Sequence, residues 1–166
     1  MKYATTFGSS TIKPYEKEYQ EAIEIGKFLA QKGYIVKCGG YQGLMEAISI
    51  GVKEAKGTCI GITLQAFNER RPKNENLTKE IVTQNLHDRV KLLVEDSELF
   101  VIQKGSLGTL NELFCVWAIK YASLGDFRIC MVGKEWESLK KCDLIDTNLL
   151  KFLEFYKDAE DFIKNF

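Results

Sequence analysis

Two prolines and one histidine, His87, are all that 166 residues provide of either type. So little proline argues against linker-rich or collagen-like chains, and 45% hydrophobic with 28% charged residues describes an ordinary globular protein. A single histidine also leaves five cysteines without the partners of a structural zinc site. Cys38, Cys59, Cys115, Cys130 and Cys142 form no CxxC pair, and an odd number cannot all pair within one chain. They read as reduced thiols packed as small hydrophobes. No sign of charge dominates, since 23 Lys and Arg balance 23 Asp and Glu. No summed field is then available to hold a nucleic acid polymer or an anionic membrane, and any phosphate has to be bound locally. Apolar runs such as Leu99 to Ile102 fall far short of the ~20 residues of a membrane span. The opening residues, Met1 to Gly8, have no apolar signal stretch. A cytoplasmic protein is expected.

What is there is an alternation of apolar β-formers and amphipathic stretches. Lys2 to Phe7, Tyr34 to Cys38, Thr58 to Leu64, Ile81 to Thr83, Leu99 to Ile102 and Arg128 to Val132 read as strands. Tyr15 to Gln31, Gly43 to Ala55, Asn85 to Asp96 and Thr109 to Tyr121 read as the helices between them. Towards the end, Lys134 to Lys141 looks helical, Leu149 to Phe155 is expected as a last strand, and Asp158 to Lys164 as a closing helix. Strands alternating with helices imply an α/β class, a doubly wound and mostly parallel sheet with helices on both faces. Residues 1–166 are expected to form a single nucleotide-binding domain. The segment Gln65 to Asn76 has no periodicity and carries a charge run. It is either a solvated excursion or a mobile lid bearing cations.

Three strand-to-helix junctions are rich in Gly and Ser. They are Gly8-Ser9-Ser10, Gly39-Gly40-Tyr41-Gln42-Gly43, and Gly105-Ser106-Leu107-Gly108-Thr109. In a parallel sheet they share the carboxyl edge, where ligands bind at a switch point, and backbone N–H groups at a helix start favour an anion there. A phosphate is the expected group. Glu112 has two compatible readings. Thr109-Leu110-Asn111-Glu112 fits a capping box, and a carboxylate in a first turn facing the cleft also lies near any ligand. Arg89 borders the apolar stripe Leu86, Val90, Leu93 and Val94. A guanidinium so placed needs an anion, from a structural salt bridge, a ligand phosphate or a catalytic carboxylate. His87 sits one residue over as a general-base candidate.

These motifs resemble those of the LOG family, Rossmann-like proteins often labelled lysine decarboxylases, from Gly8-Ser9-Ser10 to about Met131. Cys38-Gly39-Gly40-Tyr41-Gln42-Gly43-Leu44-Met45 resembles the GGGxxGLM loop, in a form similar to the branch with molybdenum-cofactor carriers. Leu86-His87-Asp88-Arg89 resembles the family's Arg helix, and Lys104 to Glu112 resembles PGGxGTxxE with Gly, Thr and Glu in register. Lys104, Ser106 and Cys38 depart from the motifs, replacing a Pro and two glycines; Lys104 adds a cation close to the cleft. The resemblance implies hydrolysis of the N-glycosidic bond of a nucleoside 5′-monophosphate such as AMP. Arg89 and Glu112 would then be catalytic, and Gly8, Ser9, Ser10, Gly39, Gly40, Gly43, Met45, Gly105, Ser106, Gly108 and Thr109 would bind the nucleotide. No metal and no cofactor is expected. The alternative is a non-catalytic nucleotide or molybdenum-cofactor carrier using the same cleft. The resemblance also implies a homodimer, with the helix around Phe114-Cys115-Val116-Trp117 as the shared face.

Overall fold

Strands with apolar residues on both sides of the pleat can leave neither face in water, so they pair in parallel and take helices on both sides. The computed structural model describes residues 1–166. Seven strands, β1 (Lys2–Phe7), β2 (Tyr34–Cys38), β3 (Cys59–Leu64), β4 (Lys79–Thr83), β5 (Ser97–Ile102), β6 (Arg128–Val132) and β7 (Glu154–Tyr156), form one sheet. Its order is β4-β3-β2-β1-β5-β6-β7 and every neighbouring pair is parallel. The helices are α1 (Lys17–Gln31), α2 (Leu44–Glu54), α3 (Gln65–Asn68), α4 (Leu86–Val94), α5 (Leu107–Tyr121) and α6 (Ala159–Asn165). Leu99 and Val101 of β5 face a core shared with Ile25, Leu29, Ile48 and Phe162 of α1, α2 and α6. Phe100 and Ile102, their alternates, face a second core with Leu93 of α4 and Leu113 and Trp117 of α5. This is the doubly wound, Rossmann-like α/β fold. No helix is long and apolar enough to cross a membrane.

The chain runs outward from β1 through β2 and β3 to β4, then returns to set β5 on the other side of β1. That reversal is the topological switch point, and its carboxyl edge carries the loops after β1, β2 and β5. All five cysteines are free, with Cys38, Cys59 and Cys130 buried.

The C-terminal expectation needs correction. Lys134–Lys141 is helical as expected, in 3₁₀ form, but Leu149 to Phe152, expected to open the last strand, lie in a second 3₁₀ helix, Thr147–Phe152. Asp146 accepts from the Asn148 N–H at 2.9 Å and closes that turn, and the indole of Trp117 donates to the Leu149 carbonyl at 3.1 Å. Those backbone groups serve a turn and α5, so pairing with β6 begins only at Glu154. Helix α4 also stops at Val94, two residues early, because Glu95 is extended and Asp96 takes φ +62°.

Helices α1 and α2 approach through glycines. A Cβ on Gly51 would overlap the Ile23 carbonyl oxygen, and one on Gly26 the Ile48 carbonyl. Gly51→Ala is therefore expected to destabilise the protein by about 1–3 kcal/mol, even though Ala is the better helix former. Chemical denaturation of the two proteins measures the difference.

Candidate active site

The site begins with how α4 is fastened. Asn85 caps its start, accepting the Asp88 N–H at 2.9 Å. Its end is tied to the sheet beneath: Lys37 of β2 donates to the carbonyls of Leu92 at 2.8 Å and Glu95 at 2.5 Å, and Thr5 of β1 donates to Leu93 at 2.7 Å. A cation at a helix C-terminus answers both the unpaired carbonyls and the dipole. Burial pushes the Lys37 amine below its ordinary pKa.

So held, α4 turns Arg89 inward, where it is 7% exposed. Its guanidinium donates in three directions, to the Ile62 carbonyl of β3 at 2.9 Å, the Gly39 carbonyl after β2 at 3.2 Å, and Glu112 Oε1 at 3.3 Å. The apolar stripe is thus narrower than expected. Leu86 is 47% exposed at the cleft mouth, and Arg89 with Leu93 forms the buried line.

Glu112 is not part of a capping box. Helix α5 starts at Leu107, so Thr109 lies inside the first turn instead of capping it, and Ser106 occupies the cap position without a side-chain bond. A capping Thr must lie outside the helix; here Leu107 and Gly108 have already begun the turn. Glu112 instead faces inward, 8% exposed, towards Arg89. Burial lifts its carboxyl to about 7, with Arg89 pulling the other way. Desolvation outweighs one guanidinium bonded at 3.3 Å.

Arg89 and Glu112 share a cleft of about 490 Å³ with Gly8, Ser10, Met45, Ser106, Gly108 and Thr109. A Cβ on Gly108 would meet nothing, because the position opens into the cleft. Ser9, Gly39, Gly40, Gly43 and Gly105 stand behind these residues and shape the loops. The Ser9 carbonyl accepts from the Leu44 N–H and its own N–H donates to the Lys104 carbonyl, each at 2.8 Å. Gly43, at φ +71°, leaves no room for a side chain beside Ser9. A side chain on Gly39 would displace Arg89. Lys104 points away and pairs with Glu18 at 3.7 Å, so the cation expected near the cleft is engaged elsewhere. His87 is exposed and borders a separate groove with Cys115.

Six lining residues were not read from the sequence: Tyr41, Phe67, Arg71, Leu86, Leu107 and Asn111. Tyr41 had a signal, as an aromatic between glycines. Phe67 had none, whereas Arg71 belongs to the charge run from Gln65 to Asn76 that reads as either a solvated excursion or a lid bearing cations. That segment is pinned. It opens with α3, the Tyr41 hydroxyl donates to Asn68 at 3.0 Å, and the buried Asn74 amide donates to Ser49 at 3.1 Å and to the Tyr41 carbonyl at 3.3 Å.

Removing the tie beneath α4 gives a direct test. Lys37→Met leaves two helix-terminal carbonyls without their charged donor, a loss of about 1–3 kcal/mol. Amide hydrogen exchange is expected to quicken in α4 while β1 and β5 stay protected.

Comparison with known proteins bears on this cleft. A cytokinin riboside 5′-monophosphate phosphoribohydrolase of Mycobacterium tuberculosis is 29% identical over 112 residues, covering 67% of this chain and 60% of that protein. The enzyme of that name, LOG, from Oryza sativa is 30% identical over 115 residues, covering 68% of this chain and 47% of that protein. The chain thus spans about half to three-fifths of the length of these relatives. The solved molybdenum cofactor binding protein of Rippkaea orientalis superposes with a TM-score of 0.76 at 22% identity, covering 99% of this chain and 95% of that one, a likeness of fold. Residues 2–126 match the model of the SLOG cluster4 family, and the chain belongs to that family, in keeping with the LOG-like motifs of its loops.

Proposed function

We propose that this chain hydrolyses the N-glycosidic bond of a nucleoside 5′-monophosphate, releasing the base and ribose 5-phosphate. The observation that carries the reading is the buried carboxylate of Glu112, held by Arg89, in a cleft that also opens onto the uncapped first turn of α5. Backbone N–H groups at Gly108 and Thr109, together with the helix dipole, suit the phosphate. With the phosphate there, the ribose lies towards Glu112. As the C1′–N bond breaks, the base leaves with the bonding pair and C1′ becomes an oxocarbenium-like centre. The Glu112 carboxylate stabilises that positive charge and orients water. Water's oxygen bonds to C1′ and its proton is carried off to the base. Arg89 fixes the carboxylate through a guanidinium already anchored on two carbonyls. A nucleotide substrate and five unpaired cysteines suit a reducing, cytoplasmic setting.

A second reading, carriage of a nucleotide or of molybdenum cofactor without turnover, draws on the whole-length likeness to the Rippkaea orientalis protein. It is also favoured by Ser106, whose side chain lines the cleft where the LOG motif has glycine.

Turnover separates the two. Wild type is expected to release adenine from AMP, with kcat rising as pH rises through about 7, because below that pH Glu112 is protonated and neutral. Glu112→Gln is expected to lose ~10²–10³ in rate and to flatten that profile. Arg89→Lys, which keeps a cation but not the three-way fork, is expected to slow turnover and shift the profile upward. Chromatography of released base, with thermal melts to confirm folding, reads all three. A wild type that binds AMP without releasing base would establish carriage instead.

The homodimer belongs to the same proposal. Val116 and Trp117 turn inward, so the shared face would rest on Phe114, Tyr121 and Leu144, which are 46%, 63% and 95% exposed along an apolar groove. Light scattering at micromolar concentration is expected to give twice the chain mass, and Tyr121→Glu to halve it.

A further inference from the structure

The end of the cleft away from α5 carries a feature that the proposed reaction does not use. Arg71 lies with its guanidinium carbon 5.0 Å from the ring centre of Tyr41 and 5.0 Å from that of Phe67. The two rings meet edge to face, 6.1 Å apart. Arg71 has no carboxylate within ion-pair reach, although Lys17, Lys27, Lys104, Arg128 and Lys140 each have one. A half-buried cation resting on two aromatic faces, with its fork unclaimed, is ready to stack on or bond to a planar ligand.

Its position matters as much as its chemistry. Tyr41 follows β2 and Phe67 with Arg71 follows β3, while the start of α5 follows β5. From β3 to β5 the sheet crosses β2 and β1, three strand spacings or roughly 14 Å. The cleft is thus built with an anion-type end and an aromatic, cationic end. Between them Tyr41 also approaches Arg89, whose guanidinium carbon is 5.9 Å from its ring centre. The wall is also fixed in place, because Asn68 and Asn74 tie its segment to Tyr41.

We propose that Tyr41, Phe67 and Arg71 form the wall that receives the planar base of the nucleotide, with Arg71 and Phe67 setting affinity for the base. The inference rests on the nucleotide reading of the site. Stacking on such a wall is sequence-tolerant and worth about tenfold in affinity for each group removed. The base so held hangs beside the Arg89–Glu112 pair, which suits a ribose carbon at the carboxylate.

Calorimetric titration with AMP and with ribose 5-phosphate, which has the phosphate and sugar but no base, tests the wall. Arg71→Ala and Phe67→Ala are each expected to weaken AMP about tenfold and to leave ribose 5-phosphate unchanged, while Arg71→Lys keeps the charge and recovers only part of the loss. Phe67 also touches the core, so a thermal melt accompanies it, and the half-buried Arg71 variants carry the test if Phe67→Ala unfolds. Equal losses for both ligands would overturn the proposal by making Arg71 a phosphate ligand. Unchanged AMP affinity in Arg71→Ala, or a wild type that binds no AMP, would overturn it as well. A wild type that binds AMP through the wall yet never cleaves it leaves the wall standing and removes the hydrolase reading. Turnover of AMP with an affinity indifferent to the wall does the reverse.

Discussion

The buried guanidinium of Arg89 organises this molecule's cleft. It bonds to β3, to the loop after β2 and to α5, so one side chain ties three elements together. A buried ion pair of this kind is weak evidence for stability. Replacing a buried ion pair by apolar side chains is often neutral or favourable, while removing one partner alone costs about 3–5 kcal/mol. What the pair provides is a carboxylate at the cleft wall whose protonation lies near neutrality. Burial pushes Glu112 upward and Arg89 restrains it.

Everything beneath that pair serves to aim it. Thr5 and Lys37 are buried polar residues on central strands whose alternates Ala4, Val36 and Cys38 join the apolar core, and their donors hold the end of α4. Had those positions been apolar, the helix would still cover the sheet, but its register against β3 and the loop after β2 would be looser. Glycines supply the complementary condition. Gly39 leaves space for the guanidinium and Gly43 lets α2 begin against the backbone of Ser9. Side chains that reach the cleft and glycines that make room for them come from the same loops, which is why these motifs mix the two.

Much of this was legible residue by residue. The strands Tyr34–Cys38 and Arg128–Val132 coincide with their apolar runs, and the Gly-rich junctions fall on the carboxyl edge as parallel pairing requires. Misreadings occurred where two local rules competed. Thr109 to Glu112 satisfies the capping pattern, but a helix that begins two residues earlier turns the same glutamate towards a buried arginine 23 positions back. Leu149 to Phe155 has strand composition, but Asp146 and Trp117 claim its backbone for a 3₁₀ turn. The charge run from Asn68 to Asn76 hides Asn74, which is buried and pins the segment.

By itself the sequence determined the alternation of strand and helix, the two-faced burial of the central strands, and the presence of an arginine and a glutamate near one edge. These follow from periodicity and side-chain type, which act over a few residues. Tertiary structure alone decided that Arg89 meets Glu112, that Lys104 is turned away to Glu18, and that Tyr41, Phe67 and Arg71 close the far end of the cleft. The first two contacts join segments that meet only when the sheet reverses its order beside β1, and the third joins the loops after the neighbouring strands β2 and β3. The partners are separated by tens of residues in sequence, and periodicity and side-chain type act over a few, so no local pattern in the chain can announce them.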